Sequence, residues 1–418
     1  MKNSKNRAKN QQKENIPELR VPGFSDEWKE KKLGKLYDIT SSKRVFQDEW
    51  TKEGVPFYRA REIVKLSKNN YVDNQLFISL EMYNSYKEKY GAPCKNDLLV
   101  TGVGTIGRLY LVGDDNKFYF KDGNIVWFKN KNLVLSQFIK YQFETRKIRK
   151  QISDSAAITT VATYTIDAAK KTFVYVPAEK EQKKIAGFLG AVDEWVENLK
   201  EQKEFIELYK KGIMQKIFSQ KIRFPEFSDN WQEKKLGEIF KAERGRALSK
   251  EKISEKGENE CILYGELYTT YDEVIFKIKS KTNIEEGLIS KKGDLLIPSS
   301  TTTTGIDLAN ITALNKENVL LGGDIIILRS REKIDNIFYA YYLSDYRKHD
   351  IAKYAQGVTI IHLYYNHFKN VIIDLPSLEE QKKIANFLTS LDKMIESKQQ
   401  QITQAQTWKK GLMQRMFV

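Results

Sequence analysis

One long segment occurs twice, and the rest of the chain has to be built round it. Residues 176–189 read VPAEKEQKKIAGFL and residues 375–388 read LPSLEEQKKIANFL. The copies stay in step without a gap as far as KKGIMQKIF (210–218) and KKGLMQRMF (409–417). A gap-free internal match of this kind constrains architecture before any local reading. In both copies a proline stands where a strand hands over to a helix, a position where its missing N–H is no loss. In the first copy Ile185, Val192, Leu199, Ile206 and Ile213 recur every seven residues. Phe188, Trp195 and Tyr209 form a companion row, with Gln202 as its polar layer. The second copy supplies Ile384, Leu391, Ala405 and Leu412 beside Phe387, Met394 and Trp408, and Gln401 repeats the polar layer. Heptads flanked by Lys and Glu predict a coiled-coil seam. A helix of ~38 residues rising 1.5 Å per residue is a rod of roughly 57 Å. Two such rods in one chain pair most simply with each other, antiparallel.

A second repeat stands in front of each remaining block. Residues 19–37 read LRVPGFSDEWKEKKLGKLY and residues 222–240 read IRFPEFSDNWQEKKLGEIF. Trp28 and Trp231 are predicted to pack against the helix ends. In mid-chain this segment follows the long helix directly; at the chain ends the segment opens the protein and the helix closes it. The order is therefore cyclic, two copies of one unit whose ends should lie near each other. Between the repeats lie two variable blocks whose frameworks align weakly. PFYRAREIV (56–64) faces ILYGELYTT (262–270), NDLLVTGVGTIG (96–107) faces GDLLIPSSTTTTG (293–305), and NIVWFK (124–129) faces DIIILR (324–329). A helical FIKYQFETRKIRKQI (138–152) faces FYAYYLSDYRKHDIA (338–352), and each block ends on a strand, TFVYVP or VIIDLP. Short strands alternating with helices predict an α+β domain in each block. One scaffold carrying different loops is how a protein varies recognition while keeping a fold.

The charge of +15 over 418 residues points to a polyanionic partner, most often nucleic acid. Only Cys94 and Cys261 occur, so no disulfide framework is implied and a reducing cytoplasm fits. No apolar run approaches 18 residues, which argues against a membrane span. The opening MKNSKNRAKNQQKEN lacks an apolar stretch and reads as a disordered basic tail rather than a signal peptide.

The paired P-x-x-x-E-Q-x-K-I-A-x-F-L helices, the twin F-S-D-x-W-x-E-K-K-L-G segments and YGELYTTY (264–271) resemble the specificity subunits of type I restriction–modification enzymes. The resemblance runs over nearly the whole chain past the first 18 residues. It implies an α+β protein with two globular target-recognition domains in pseudo-two-fold arrangement, separated by two long antiparallel helices forming a coiled coil. The division it suggests is a tail (1–18), a first recognition domain (19–175), a central spacer helix (176–218), a second recognition domain (219–374) and a C-terminal spacer helix (375–418). It further implies that each domain reads one half of a bipartite, asymmetric DNA site, that the helices fix the gap, and that the subunit itself does no chemistry. Its partners would be double-stranded DNA, two methyltransferase subunits and the motor-nuclease restriction subunits. Cofactors would be absent here, with S-adenosylmethionine, ATP and Mg confined to the partners. The chain would act in the cytoplasm.

Chemical motifs agree with a non-catalytic role. GVGTIG (102–107) matches G-x-G-x-x-G, but the dinucleotide fingerprint needs a helix after the glycines. RLYLVGDD (108–115) reads instead as strand and turn, so a glycine hairpin is predicted. No two prolines are adjacent, which removes a methyltransferase motif of the Asn/Asp-Pro-Pro-aromatic type, and no G-x-x-x-x-G-K-[ST] phosphate loop occurs. His349, His362 and His367 have no neighbouring Cys ligands, so no zinc site is expected. A self-sufficient nuclease or methyltransferase, and a coiled-coil scaffold that never touches DNA, are the competing classes.

The DNA-reading candidates are positional. In the first block they are Lys43, Arg44, Arg59 and Arg61, then Thr101, Thr105 and Arg108 around the glycines. Thr159 and Thr160 lie in the polar stretch SDSAAITTVAT (153–163). In the second block they are Arg244 and Arg246, then Glu266, Tyr268, Thr269 and Tyr271, then Ser299, Ser300, Thr301 and Thr302 where the first block has glycines. AQGVTIIHLYY (355–365) adds Gln356, Thr359 and His362. Arg forks onto guanine and Gln onto adenine in the major groove. Lys and most Arg grip phosphate, which carries no sequence information. Tyr58 and Tyr264, on the same framework segments, are predicted to be core.

Overall fold

The computed structural model describes residues 15–157, 162–246 and 248–418. It divides into two compact units, one of residues 1–199 with 401–418 and one of residues 200–400. Each unit holds an α+β domain and a share of both long helices, Glu179–Phe218 and Leu378–Met416.

The first unit is built on a four-stranded antiparallel sheet in the order Tyr37–Thr40, Ile125–Asn130, Leu98–Thr101, Leu109–Leu111. A three-stranded sheet (Leu76–Ile78, Val55–Tyr58, Tyr119–Phe120) lies in the same domain. The second unit repeats the plan with additions. Its five-stranded sheet runs Phe240–Arg244, Ile325–Ser330, Asp294–Pro298, Thr312–Leu314, Val274–Ile275. Its four-stranded sheet runs Ser280–Thr282, Asn259–Ile262, Leu320–Leu321, Leu288–Ile289. The strands carrying DLLV and DLLI are thus equivalent central strands. The aspartate that opens each is a buried acceptor. Asp97 takes Trp127 Nε1–H at 2.8 Å and the Asn130 N–H at 2.8 Å, and Asp294 takes Arg329 Nε–H at 2.9 Å.

The first repeated segment closes each domain. Lys29–Lys32 pairs antiparallel with Phe173–Val176, and Gln232–Lys235 with Ile372–Leu375. The L-G that follows is a close-approach site. A Cβ on Gly34 would lie 3.0 Å from Lys170, and one on Gly237 would lie 3.2 Å from the Lys369 carbonyl. Asn15 is also seated, since its carbonyl accepts the Trp28 N–H at 2.9 Å, and Glu18 pairs with Arg415. These residues, assigned from sequence to the tail, belong to the folded unit.

In the first unit residues 179–199 and 401–416 run antiparallel. Val196, Leu199, Ile402 and Ala405 form one apolar cluster, while Ile185, Ala186 and Leu189 share a core with Met413, Met416 and Phe417. In the second unit Met214, Ile217 and Phe218 share a core with Ile384, Ala385, Leu388 and Leu391. The row Ile185, Val192, Leu199 and its repeat Ile384, Leu391 is buried as expected, with Ile206, Ile213 and Leu412 packed at its margins.

The companion row differs from the sequence expectation. Phe188, Trp195, Met394 and Trp408 are 42–50% exposed, Tyr209 is exposed, and Phe387 leans on Phe224 at 6.0 Å. Gln202 is exposed and Gln401 half-buried. The second inner row falls four residues on from the first, at Leu189, Val196 and Leu388. Apolar residues stand at both +3 and +4 in the sequence. Close helix packing, at interaxial distances of about 8–10 Å, takes the compact aliphatic and leaves the ring on the flank.

Candidate DNA-recognition surfaces

The E-Q of the repeated helix motif is what mounts each domain. Glu181 is buried and accepts Arg20 Nε–H and Nη2–H, both at 2.9 Å, with Trp28 Nε1–H at 3.4 Å. Glu380 does the same for Arg223 at 3.0 and 2.8 Å and for Trp231 at 2.9 Å. The adjacent Gln182 accepts the Leu135 N–H at 2.9 Å and donates to the Pro177 carbonyl at 2.9 Å. Gln381 accepts the Asp335 N–H and donates to the Pro376 carbonyl, each at 2.8 Å. The tryptophans sit among core rings, Trp28 on Phe138 and Phe417, Trp231 on Phe338. These mounts join the two repeated segments within each unit. The motif was visible in the sequence; its role needed the long-range partners.

In the first domain GVGTIG forms the predicted hairpin between Leu98–Thr101 and Leu109–Leu111, with Gly104 and Gly107 both at φ +74°. Thr101 is not available to a ligand: it is wholly buried, donates to the Thr105 carbonyl and accepts the Arg108 N–H at 3.0 Å. Thr105 and Arg108 are exposed on the rim of a cavity of about 650 Å³. Lys68, Lys140 and Arg149 add cations to that rim, and Phe143 and Ile152 line its apolar part. The sequence reading named none of these five: Lys140, Phe143, Arg149 and Ile152 lie on helices, and Lys68 sits in an S-K-N-N turn distant in sequence from the glycines. Arg59 and Arg61 are both turned onto Glu62. Burial works to raise the Glu62 carboxyl, and the two guanidiniums more than offset it, holding it below the usual carboxylate range. Arg44 is exposed but pairs with Asp122 at 2.9 Å, and Lys43 is exposed beside the Tyr90 ring. Tyr58 is packed against Phe118. Thr159 and Thr160 lie outside the described residues.

In the second domain the hydroxyl-rich run and the AQGVTIIHLYY segment come together. Ser300–Thr301 pairs with Ile361–His362, and Gln356 and His362 exchange backbone hydrogen bonds at 2.9 and 2.7 Å. The hairpin so closed turns at Gly357, φ +133°, where a Cβ would fall 2.0 Å from the Ile360 carbonyl. It carries Thr359, the almost fully exposed Val358 (98%) and Ile360 at its tip, and His362 stacks on Tyr364 at 6.0 Å. The two apolar tip residues were missed because period-2 patterning assigns Val and Ile to cores. Ser300 and Thr301 are buried, against expectation, as ladder residues; Thr302 is exposed. Thr303 and Thr304 donate to Asp307, which holds that carboxyl below its usual range. The buried Ser299 hydroxyl has no hydrogen-bond partner and lines a pocket of about 280 Å³ with Arg244, Tyr364 and Asn366.

Glu266 is a framework residue, accepting the Leu263 N–H at 2.7 Å and the Ser280 hydroxyl at 2.5 Å. Thr269 donates to the Gly265 carbonyl, Tyr271 accepts the Lys279 N–H, and Tyr268 and Tyr264 are half-buried. Arg244 is exposed and paired with Asp324, and Arg246 is exposed. Among the described residues no group of His, Cys, Asp and Glu could hold a metal ion, and no helix is long and apolar enough to cross a membrane.

Two α+β domains with different loops, each held by the same Glu–Arg–Trp mount on repeated helices, define a modular recognition protein. The family model for the type I restriction modification DNA specificity domain matches residues 25–208 and 228–407. The chain belongs to this family and is a DNA-binding specificity subunit with two recognition domains. It is 24% identical to a putative type I restriction enzyme specificity subunit (MjaX) of Methanocaldococcus jannaschii, over 96% of this chain and 95% of that one. It is 34% identical to a putative specificity subunit of Haemophilus influenzae over 38% of each. The fold is similar to the crystal structure of the S subunit from M. genitalium, with TM-score 0.59 at 18% identity over 96% of this chain and 99% of that one.

Proposed function

We propose that the first domain reads one half and the second domain the other half of a bipartite, asymmetric DNA site, with the helices setting the gap. The observation that carries this reading is the pairing of identical mounts with dissimilar loops: Arg20–Glu181–Trp28 and Arg223–Glu380–Trp231 hold domains that carry a glycine hairpin, GVGTIG, in one case and a hydroxyl-rich run, SSTTTTG, in the other. The basic rim at Arg108, Lys140 and Arg149 would grip phosphates, and the hairpin at 356–362 would approach base edges. The exposed rings Phe188, Trp195 and Trp408 form an apolar strip suited to docking methyltransferase subunits. The subunit would do no chemistry, and S-adenosylmethionine, ATP and Mg would act only in the methyltransferase and restriction partners, in the cytoplasm.

The test inserts one helical turn into the central helix and maps methylated bases made by the assembled methyltransferase. The reading expects both half-site sequences to persist and the gap between them to change. An unchanged gap, or a single undivided motif in the wild type, overturns it.

A further inference from the structure

Each unit sets one half-buried lysine of the long helices against its recognition domain. Lys409 lies 2.6 Å from Asp193 on the antiparallel helix and 3.4 Å from Glu144 of the domain, with its ammonium 5.1 Å from the Tyr141 ring centre. The Tyr141 hydroxyl donates to the same Asp193 at 2.9 Å. In the other unit Lys210 lies 2.6 Å from Asp392 and 3.2 Å from Glu273, 4.9 Å from the Tyr341 ring centre, and Tyr341 donates to Asp392. Lys210 and Lys409 are repeat partners, as are Asp193 and Asp392. The second carboxylate is not: Glu144 follows a helix, whereas Glu273 precedes the strand Val274–Ile275. Two unlike domains have therefore met the same lysine with an acid taken from different places.

A buried ion pair is a poor way to gain stability, because desolvation offsets most of the attraction, but it fixes position. The lysine side chains are only 13% and 15% exposed, so the ammonium must meet its acids or remain unpaired. Gly190 lets the Gln137 and Tyr141 side chains approach the helix, and Thr389 accompanies Tyr341.

We propose that these two lysine-centred contacts are positioning devices that latch each recognition domain at one angle on its helices, and so sharpen the spacing that the enzyme accepts between half-sites. The inference rests on the bipartite reading above. The test replaces Lys210 by Met in the assembled methyltransferase, with Lys210→Arg as the charge-keeping control, and maps methylated motifs. The expected result is an about ten-fold rise in methylation at sites whose gap differs by one base pair. The bases of each half-site stay the same, and Lys210→Arg behaves as wild type. A Lys210→Met protein that folds and keeps a single gap overturns the proposal. Should that protein not fold, Tyr341→Phe removes one hydroxyl only, and an unbroadened gap there overturns it equally. A wild-type motif that is not bipartite overturns the underlying reading instead.

Discussion

Glu181 and Glu380 lie where a single atom change does most damage. Each is a buried carboxylate that accepts from a guanidinium and an indole N–H, and removing it leaves a cation without its partner. Breaking such a pair costs about 3–5 kcal/mol. Glu181→Ala is expected to lower unfolding stability by that order in a denaturant titration, with Glu181→Gln less harmful because it still accepts. Asp335 behaves in the opposite sense. Burial raises its carboxyl above the usual value, and the N–H groups of Phe338 and Ile337 only partly offset this. A raised folded value means that the ionised form is disfavoured in the fold, so this group's contribution improves as pH falls. Asp335→Asn keeps a capping acceptor and removes the charge. Its melting temperature is expected to match or exceed wild type at pH 7, with the advantage shrinking as the solution is acidified.

At the scale of the helix, the inner row decides stability and the outer row faces outward. Leu189 is fully buried whereas Phe188 is 42% exposed. Leu189→Ala is expected to cost about 2–5 kcal/mol by the cavity it leaves. Phe188→Ala should stay within about 1 kcal/mol in chemical denaturation, yet weaken methyltransferase association in a pull-down with purified subunits. Equal losses for the two would mean that the outer ring is part of the seam after all. The sequence offered Phe188 and Leu189 side by side, and heptad counting alone chose the larger one. Packing put the smaller inside and left Phe188 on the flank, where its ring meets Trp408 of the other helix at 6.2 Å.

At the scale of the whole molecule, the repeat predicts that half the chain can complete itself. Met413, Met416 and Phe417 close the first domain's core, and Met214, Ile217 and Phe218 occupy the equivalent places in the second. In a fragment of residues 1–218 the segment 210–218 of one copy can take the place of 409–417 in another. The fragment is expected to be a dimer by light scattering and to bind a palindromic site with a salt-dependent affinity. A monomer that folds would show that the two closing segments are not interchangeable.

What the sequence determined by itself was the plan: two copies of one unit, α+β domains with a shared framework, helices with a buried heptad row, a glycine hairpin at 102–107 and indoles in the core. These are legible because repeats, apolar periodicity and turn residues are local signals. Tertiary structure alone decided which polar residues face outward. Arg59, Thr101, Glu266, Ser300 and Thr301 looked like reading groups, and each is committed to the framework or buried. Conversely Lys140, Arg149, Val358 and Ile360 lie on exposed rims or tips that no spacing announces. The reason is physical: a side chain's exposure is set by partners brought near from distant positions, as Glu181 is by Arg20, and no local pattern contains that distance.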